Sequence, residues 1–329
     1  MQGIDREVSE KFGLDVKNLV PYKDTLMAVT PQGRKVIRKI PFSTDRLKFI
    51  HGAKEHLISN GFTGVDRYIC TLDGEPYFSY EGSFYTMVNF TEGKESNFDN
   101  DADVQRAAVT LGLMHTASKG YVAPQDCKIQ DDLGKLPGYF NKRLEDIRKM
   151  KKQARKGKSR FDQLFLEQAD YFCEIGECAA SELLESYYEQ LVAETRQDGL
   201  FCHHDYTHHN ILIDGQNVTV TNFDFCCYEL RVYDIANFIR RKMRKCDWDI
   251  SKTELIINSY TSVDPLSDEE LAVMGVILKF PQKFWRVVNR YYNSRRSWSE
   301  KSFVLRLQEV IDEMEPHKAF LEEYKKMFE

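Results

Sequence analysis

The rhythm of hydrophobic and polar positions changes along this chain from extended to helical. Between residues 19 and 40, two extended runs, LMAVT and KVIRKI, flank Pro31-Gln32-Gly33, a pattern that predicts a β-hairpin opening a small sheet. Ser43-Thr44-Asp45 then marks a helix start, Leu47, Ile50, Lys54 and Leu57 follow at helical spacing, and Ser59-Asn60-Gly61 marks the stop. Further extended segments are predicted around 68–72, 75–80 and 83–88. The polar stretch TEGKESNFDNDAD ends this region, so a domain boundary is placed near residue 92.

Beyond it the period becomes helical. Val104, Ala107, Leu111 and Met114 form one stripe of a helix that also carries His115. The basic run at 141–160 reads as a solvated helix face or loop rather than a dock for an acidic partner. Ser267 and Glu270 form a capping box, and Pro281 is expected to end or kink the helix that follows. Phe284, Trp285, Val288, Tyr291 and Tyr292 read as core, as does the stripe Phe303, Leu307, Val310, Ile311 and Met314.

At 329 residues the chain is long enough for about two domains. Its 46 basic against 51 acidic residues leave a net charge of -5, which disfavours nucleic acid as a partner. No run of about 18 apolar residues exists, and MQGIDREVSEKFG lacks the apolar core of a signal peptide; no membrane partner is expected and the protein is read as made and kept inside a cell. The 8 cysteines include no CxxC pair and read as reduced, mostly buried thiols.

One segment concentrates polar chemistry: FCHHDYTHHNILIDGQNVTVTNFDF, residues 201–225. Two short strands, 211–213 and 218–221, are predicted to meet across Asp214-Gly215. Hairpin closure brings His203, Asp205 and Asn210 to the same end as Asn222 and Asp224. The spacing H-x-D-x-x-x-x-N, a hairpin, then a carboxylate is what phosphoryl transfer needs. The catalytic candidates are Asp205, as base, and His203, behind it and ordering the loop. The metal candidates are Asn210, Asn222 and Asp224. The cluster His203, His204, His208 and His209 leaves zinc as a minor alternative.

This segment resembles the catalytic loop of aminoglycoside phosphotransferases and choline kinases, relatives of the protein kinases. Together with GRKVIRKI, RLKFIHGAKEHLISNGF, LGLMHTASKGY, TNFDFCCYELRVYDIANFIRRKM and KFPQKFWRVVNRYY, it makes nearly the whole chain resemble the CotS family of bacterial spore coat proteins. The resemblance implies an α+β, two-lobed protein kinase-like fold: a small antiparallel-sheet N-lobe at 1–91 and a large, mainly helical C-lobe at 92–329. It implies ATP and Mg2+ as cofactors if the protein is active, and coat proteins, a nucleotide and a small hydroxylated substrate as partners. The implied location is the mother-cell cytoplasm and then the spore coat.

Residue by residue, the resemblance implies a basic residue on the third strand that contacts phosphates and pairs with a helix Glu: Arg38 or Lys39, with Glu55. The alignment that the resemblance implies favours Arg38, and because neighbouring strand side chains point to opposite faces, only one of the two can reach the cleft. Backbone at 87–91, including Met87 and Asn89, is expected to meet an adenine edge. Asp234 is expected to be structural. Two departures stand out. Active relatives place Asp where this chain has Asn222, which deletes a metal-binding charge, although Asp224 lies two residues on along the same face. The covering segment LVPYKDTLMAV also has no glycine. Two functions are therefore expected: a coat protein with a degenerate metal site acting in assembly, or an active ATP/Mg-dependent phosphotransferase acting on a small hydroxylated molecule or saccharide.

Overall fold

In the computed structural model, which describes residues 3–243, 246–294 and 299–327, the chain divides into two compact units. One comprises residues 1–131 and 198–228, the other 132–197 and 229–329. The change from sheet to helix falls near residue 91, but the division by packing runs elsewhere, because residues 198–228 return to the first unit.

The first unit opens with α1 (Ile4–Phe12), an element absent from the expectations above, whose Ile4, Val8 and Phe12 are buried. Then come β1 (Asn18–Tyr22), β2 (Thr25–Thr30), β3 (Gly33–Lys39), α2 (Thr44–Ser59), β4 (Phe78–Tyr80) and β5 (Ser83–Asn89). The strands form an antiparallel sheet in the order β1-β2-β3-β5-β4. The expected hairpin is β2–β3, with Gly33 at φ +94. The expected extended segment at 68–72 forms no strand; it makes one bridge, Tyr68 to Val88, and Ile69 N–H donates to the Met87 carbonyl at 2.7 Å.

Alternation along the strands gives the sheet two different faces. Ala28, Ile37, Phe78 and Met87 bury one face against Ile4, Val8 and Phe12 of α1. Val36, Arg38, Thr86 and Val88 point the other way. Ser43 caps α2 by accepting from Arg46 N–H, and Gly61 at φ +86 follows its end. Strand β6 (Lys94–Glu95) and α3 (Asp101–Ser118) come next in this unit, and the returning segment adds β7 (Phe201–Cys202), β8 (Ile211–Asp214), β9 (Asn217–Val220) and β10 (Cys227–Tyr228).

The second unit holds α4 (Leu136–Ala154), α5 (Arg160–Glu185), α6 (Tyr188–Asp198), α7 (Arg231–Met243), α8 (Ile250–Thr261), α9 (Asp268–Lys279), α10 (Gln282–Asn293), α11 (Glu300–Asp312) and α12 (Met314–Met327). Ser267 and Glu270 form the expected capping box of α9, and Pro281 separates α9 from α10. Phe284, Val288, Phe303, Leu307 and Val310 pack with Phe161, Phe165 and Phe172 of α5, so the aromatic stripes are core. The basic run lies mainly on α4, where Arg148 pairs with Glu177 of α5 at 2.6 Å. Asp234 is buried in the first turn of α7. The thiols are free, as expected, but only Cys202, Cys226 and Cys227 are buried; Cys70 and Cys178 are exposed, contrary to the expectation of mostly buried cysteines. Among the described residues no helix is long and apolar enough to cross a membrane.

Candidate phosphoryl-transfer site

The site grows from the β8–β9 hairpin. Ile211 pairs with Val220, and Gly215 turns the chain at φ +58. Closing the hairpin sets Asn210 beside Thr221, whose N–H donates to the Asn210 carbonyl at 2.8 Å. Asn210 Nδ2 donates to the Asp205 carbonyl at 2.9 Å and to its carboxylate at 3.2 Å, while Asn222 Nδ2 donates to Asn210 Oδ1 at 3.3 Å. The two polar clusters therefore join into one chain of contacts.

His203 is fully buried behind this chain, its ring 4.7 Å from that of Phe223. Its Nε2 donates to the Thr221 carbonyl at 3.0 Å, and its Nδ1 accepts from Asp205 N–H at 3.2 Å. A carbonyl only accepts and a backbone N–H only donates, so both contacts are met by the neutral ring with its proton on Nε2. His203 is thus a positioning residue that ties the Asp205 loop to the far side of the hairpin.

Asn222 takes the left-handed conformation, φ +63 and ψ +60, which asparagine and aspartate adopt more readily than most side chains. Its N–H donates to Asp66 Oδ2 at 3.3 Å. From β3, Arg38 reaches across: Nη1 donates to Asn222 Oδ1 at 2.9 Å and Nη2 to the Asp224 carboxylate. Burial works against the Arg38 charge, but Asp224 more than offsets it and holds the guanidinium above its ordinary range. Lys39 is exposed, as alternation requires, so Arg38 is the inward cation.

The expected Arg38–Glu55 pair is not formed. Arg67 holds Glu55 through both carboxylate oxygens, at 2.8 and 2.5 Å. The inward residue of α2 is its neighbour Lys54, only 1% exposed, with Nζ 2.7 Å from the Asp66 carboxylate, 2.8 Å from the Asp66 carbonyl and 3.8 Å over the Tyr68 ring. Burial pulls the Lys54 pKa below its ordinary value, against the pull of Asp66. Neither Lys54 nor Asp66 was among the expected site residues, yet the signal was present: a lysine in the apolar stripe Leu47, Ile50, Leu57.

Above the ion pairs lies a cleft of about 540 Å³. Val36, Val88 and Leu212 supply apolar walls, and Tyr22, Asn89 and Thr91 lie along its rim. Met87, where a backbone contact is expected, has its side chain in the core against α1 and its carbonyl accepting from Ile69 N–H at 2.7 Å. Asn89 does line the cleft, its Oδ1 accepting from Lys35 Nζ at 2.6 Å. At the mouth, Glu95 accepts from Lys23 at 2.9 Å and from His209 at 2.5 Å, joining the β1–β2 turn to the loop before β8. The four histidines do not gather around one metal position. His203 faces Thr221, His209 faces Glu95 and His208 packs on Phe98; among the described residues no ligating cluster gathers two of these histidines.

The donor set fits magnesium poorly. A hard divalent cation is held best by carboxylates. Here the Asp224 carboxylate is paired with Arg38 and that of Asp66 with Lys54, the Asp205 carboxylate accepts from Asn210, and the oxygens of Asn210 and Asn222 already accept from Asn222 and Arg38.

Residues 5–324 match the family described as "Spore coat putative kinase YutH". Spore coat protein S of Bacillus subtilis (strain 168) is 26% identical over 303 residues, 91% of this chain and 86% of the relative. The fold is that of an aminoglycoside phosphotransferase from Alicyclobacillus acidocaldarius, with a TM-score of 0.85 at 22% identity over 98% of this chain and 96% of the other. It is also similar to amicoumacin kinase hAmiN, solved with AMP-PNP, Ca2+ and Ami, with a TM-score of 0.59 at 13% identity over 95% of this chain and 93% of that one.

Proposed function

The chain belongs to the YutH family of spore coat proteins, and from that premise we propose that it acts in assembly of the spore coat, with a kinase-like cleft whose metal centre is degenerate. One observation carries the second half of this reading: Arg38 bridges Asn222 and Asp224. Magnesium would have to displace a guanidinium from the Asp224 carboxylate and accept amide oxygens elsewhere. The cleft still suits a nucleotide, with apolar walls for a base and cations for phosphate. Binding would then rest on Arg38 rather than on a divalent ion.

A thermal-shift titration with ATP tests the metal half. A ligand that binds only the folded state raises the melting temperature by mass action. ATP is expected to give the same shift in EDTA as in magnesium, and Asn222→Asp to add a magnesium-dependent increment. A larger wild-type shift with magnesium would overturn it. For the assembly half, Asp205→Ala is expected to enter the coat normally; a stably folded variant that fails to do so would count against it.

A second reading rests on the intact Asp205–Asn210 contact: an ATP/Mg-dependent phosphotransferase acting on a small hydroxylated molecule or saccharide. It requires turnover that disappears in Asp205→Asn while nucleotide binding persists.

A further inference from the structure

The second unit contains a separate cavity of about 100 Å³, enclosed by residues of that unit alone. Phe172, Trp248, Phe280 and Phe284 make its walls aromatic, while Arg240 of α7 and Arg286 of α10 bring positive charge to it. Burial disfavours the protonated Arg240 most; Tyr233 works against that, and the nearby charges of Arg286 and of Arg143 on α4 add to it. Among the described residues, no carboxylate forms an ion pair or hydrogen bond with Arg143, Arg240 or Arg286. Glu313 also lines the cavity, but it is paired with Lys283 at 2.6 Å, so Arg240 and Arg286 are left without a carboxylate of their own, and an anion offsets such charges.

Further features point the same way. Gln282, only 8% exposed, lines the cavity and its Oε1 has no hydrogen-bond partner among the described residues; neither has the indole Nε1 of Trp248. Gln282 opens α10, whose cap residue Pro281 supplies no side-chain cap, leaving the positive end of a 12-residue helix at this wall. Arg240 is fixed in place by donating to the carbonyls of Ile277 and Phe280 at the end of α9. The planar forks of arginine suit oxyanions, aromatic walls suit an apolar body, and a lone amide oxygen needs a hydroxyl donor.

We propose that this cavity binds a small organic anion bearing a hydroxyl group, its carboxylate or phosphate held by Arg240 and Arg286 and its hydroxyl by Gln282. The site is independent of the nucleotide cleft and of how that cleft is read.

Calorimetric titration of the full chain with 3-hydroxybenzoate, phenyl phosphate, benzoate and neutral 3-hydroxybenzyl alcohol tests this. Saturable binding of 3-hydroxybenzoate or phenyl phosphate is expected, with the neutral alcohol weaker than either. Because Arg240 also caps α9, the exposed Arg286 is the deciding position. Arg286→Gln is expected to weaken anion binding roughly tenfold, as loss of a charge-assisted hydrogen bond would. Gln282→Leu is expected to erase any preference for 3-hydroxybenzoate over benzoate. Arg38→Gln, in the other unit, is expected to change nothing. The proposal is overturned if neither anion binds, if the alcohol binds as tightly, if 3-hydroxybenzoate shows no advantage over benzoate, if folded Arg286→Gln binds normally, or if Arg38→Gln abolishes binding.

Discussion

Arg38 donates to the side-chain oxygen of Asn222 at 2.9 Å while also pairing with Asp224, so one cation from the sheet engages both polar side chains of the opposite wall. Replacing Arg38 by Gln frees the Asp224 carboxylate, and adding Asn222→Asp supplies a second one. The double variant is expected to bind magnesium at least about tenfold more tightly than wild type, a difference of roughly 1.4 kcal/mol. Metal titration of both proteins without nucleotide measures it, and equal affinities would show that Arg38 is not the obstacle.

Lys54 and Asp66 make a second, more deeply buried pair. Removing one partner of such a pair strands the other charge, at a cost of about 3–5 kcal/mol. Lys54→Met is therefore expected to lower stability by that order in urea unfolding. Lys54→Met combined with Asp66→Asn is expected to recover part of the loss, because the stranded charge is gone. A double variant less stable than Lys54→Met would mean that the contacts of Asp66 with Asn222 outweigh its pairing.

The neutral ring of His203 joins two loops through one donor and one acceptor. His203→Leu keeps the bulk but leaves the Thr221 carbonyl and Asp205 N–H without these partners. A loss of about 1–3 kcal/mol is expected, in the range for buried groups left unsatisfied. Denaturant unfolding checks the size, and a stability equal to wild type would show that water replaces the imidazole there.

Glu95 has its carboxyl held below the ordinary range by the hydrogen bond from Lys23 and then by that from His209. A depressed folded-state pKa contributes stability above the unfolded value, and that contribution disappears as pH falls through the folded pKa. The stability gap between wild type and Glu95→Gln is thus expected to be present at neutral pH and to close below the carboxylate range. Its size is expected to stay under about 1 kcal/mol, because the groups are solvent-exposed. Melting curves of both proteins across acid pH would test this; a gap that widens on acidification would contradict it.

Much of this site was legible in the chain because its parts are local. The turn at Asp214-Gly215 fixes the register of β8 on β9, and register alone brings Asn210 to Thr221 and Asn222. Alternation along β3 meant that only one of Arg38 and Lys39 could face the cleft, and likeness to the family pointed to Arg38. Partner choice across the fold was not legible. Glu55 and Lys54 are adjacent on α2, and which one turns inward depends on where Asp66 and Arg67 lie, in a segment with no regular periodicity of its own. Helix α1 shows Ile4, Val8 and Phe12 at four-residue spacing, but nine residues are too few for periodicity to speak without the sheet face that buries them.

The left-handed turn at Asn222 has an evolutionary side. Asparagine and aspartate codons differ by a single base, and both residues accept this backbone geometry. The peptide path, the Asp66 contact and the buried Phe223 can therefore all persist through the exchange. A lineage carrying this loop stands one point mutation from an acidic side chain at that position, and of the contacts around it only the donation from Asn222 Nδ2 to Asn210 would have to be replaced.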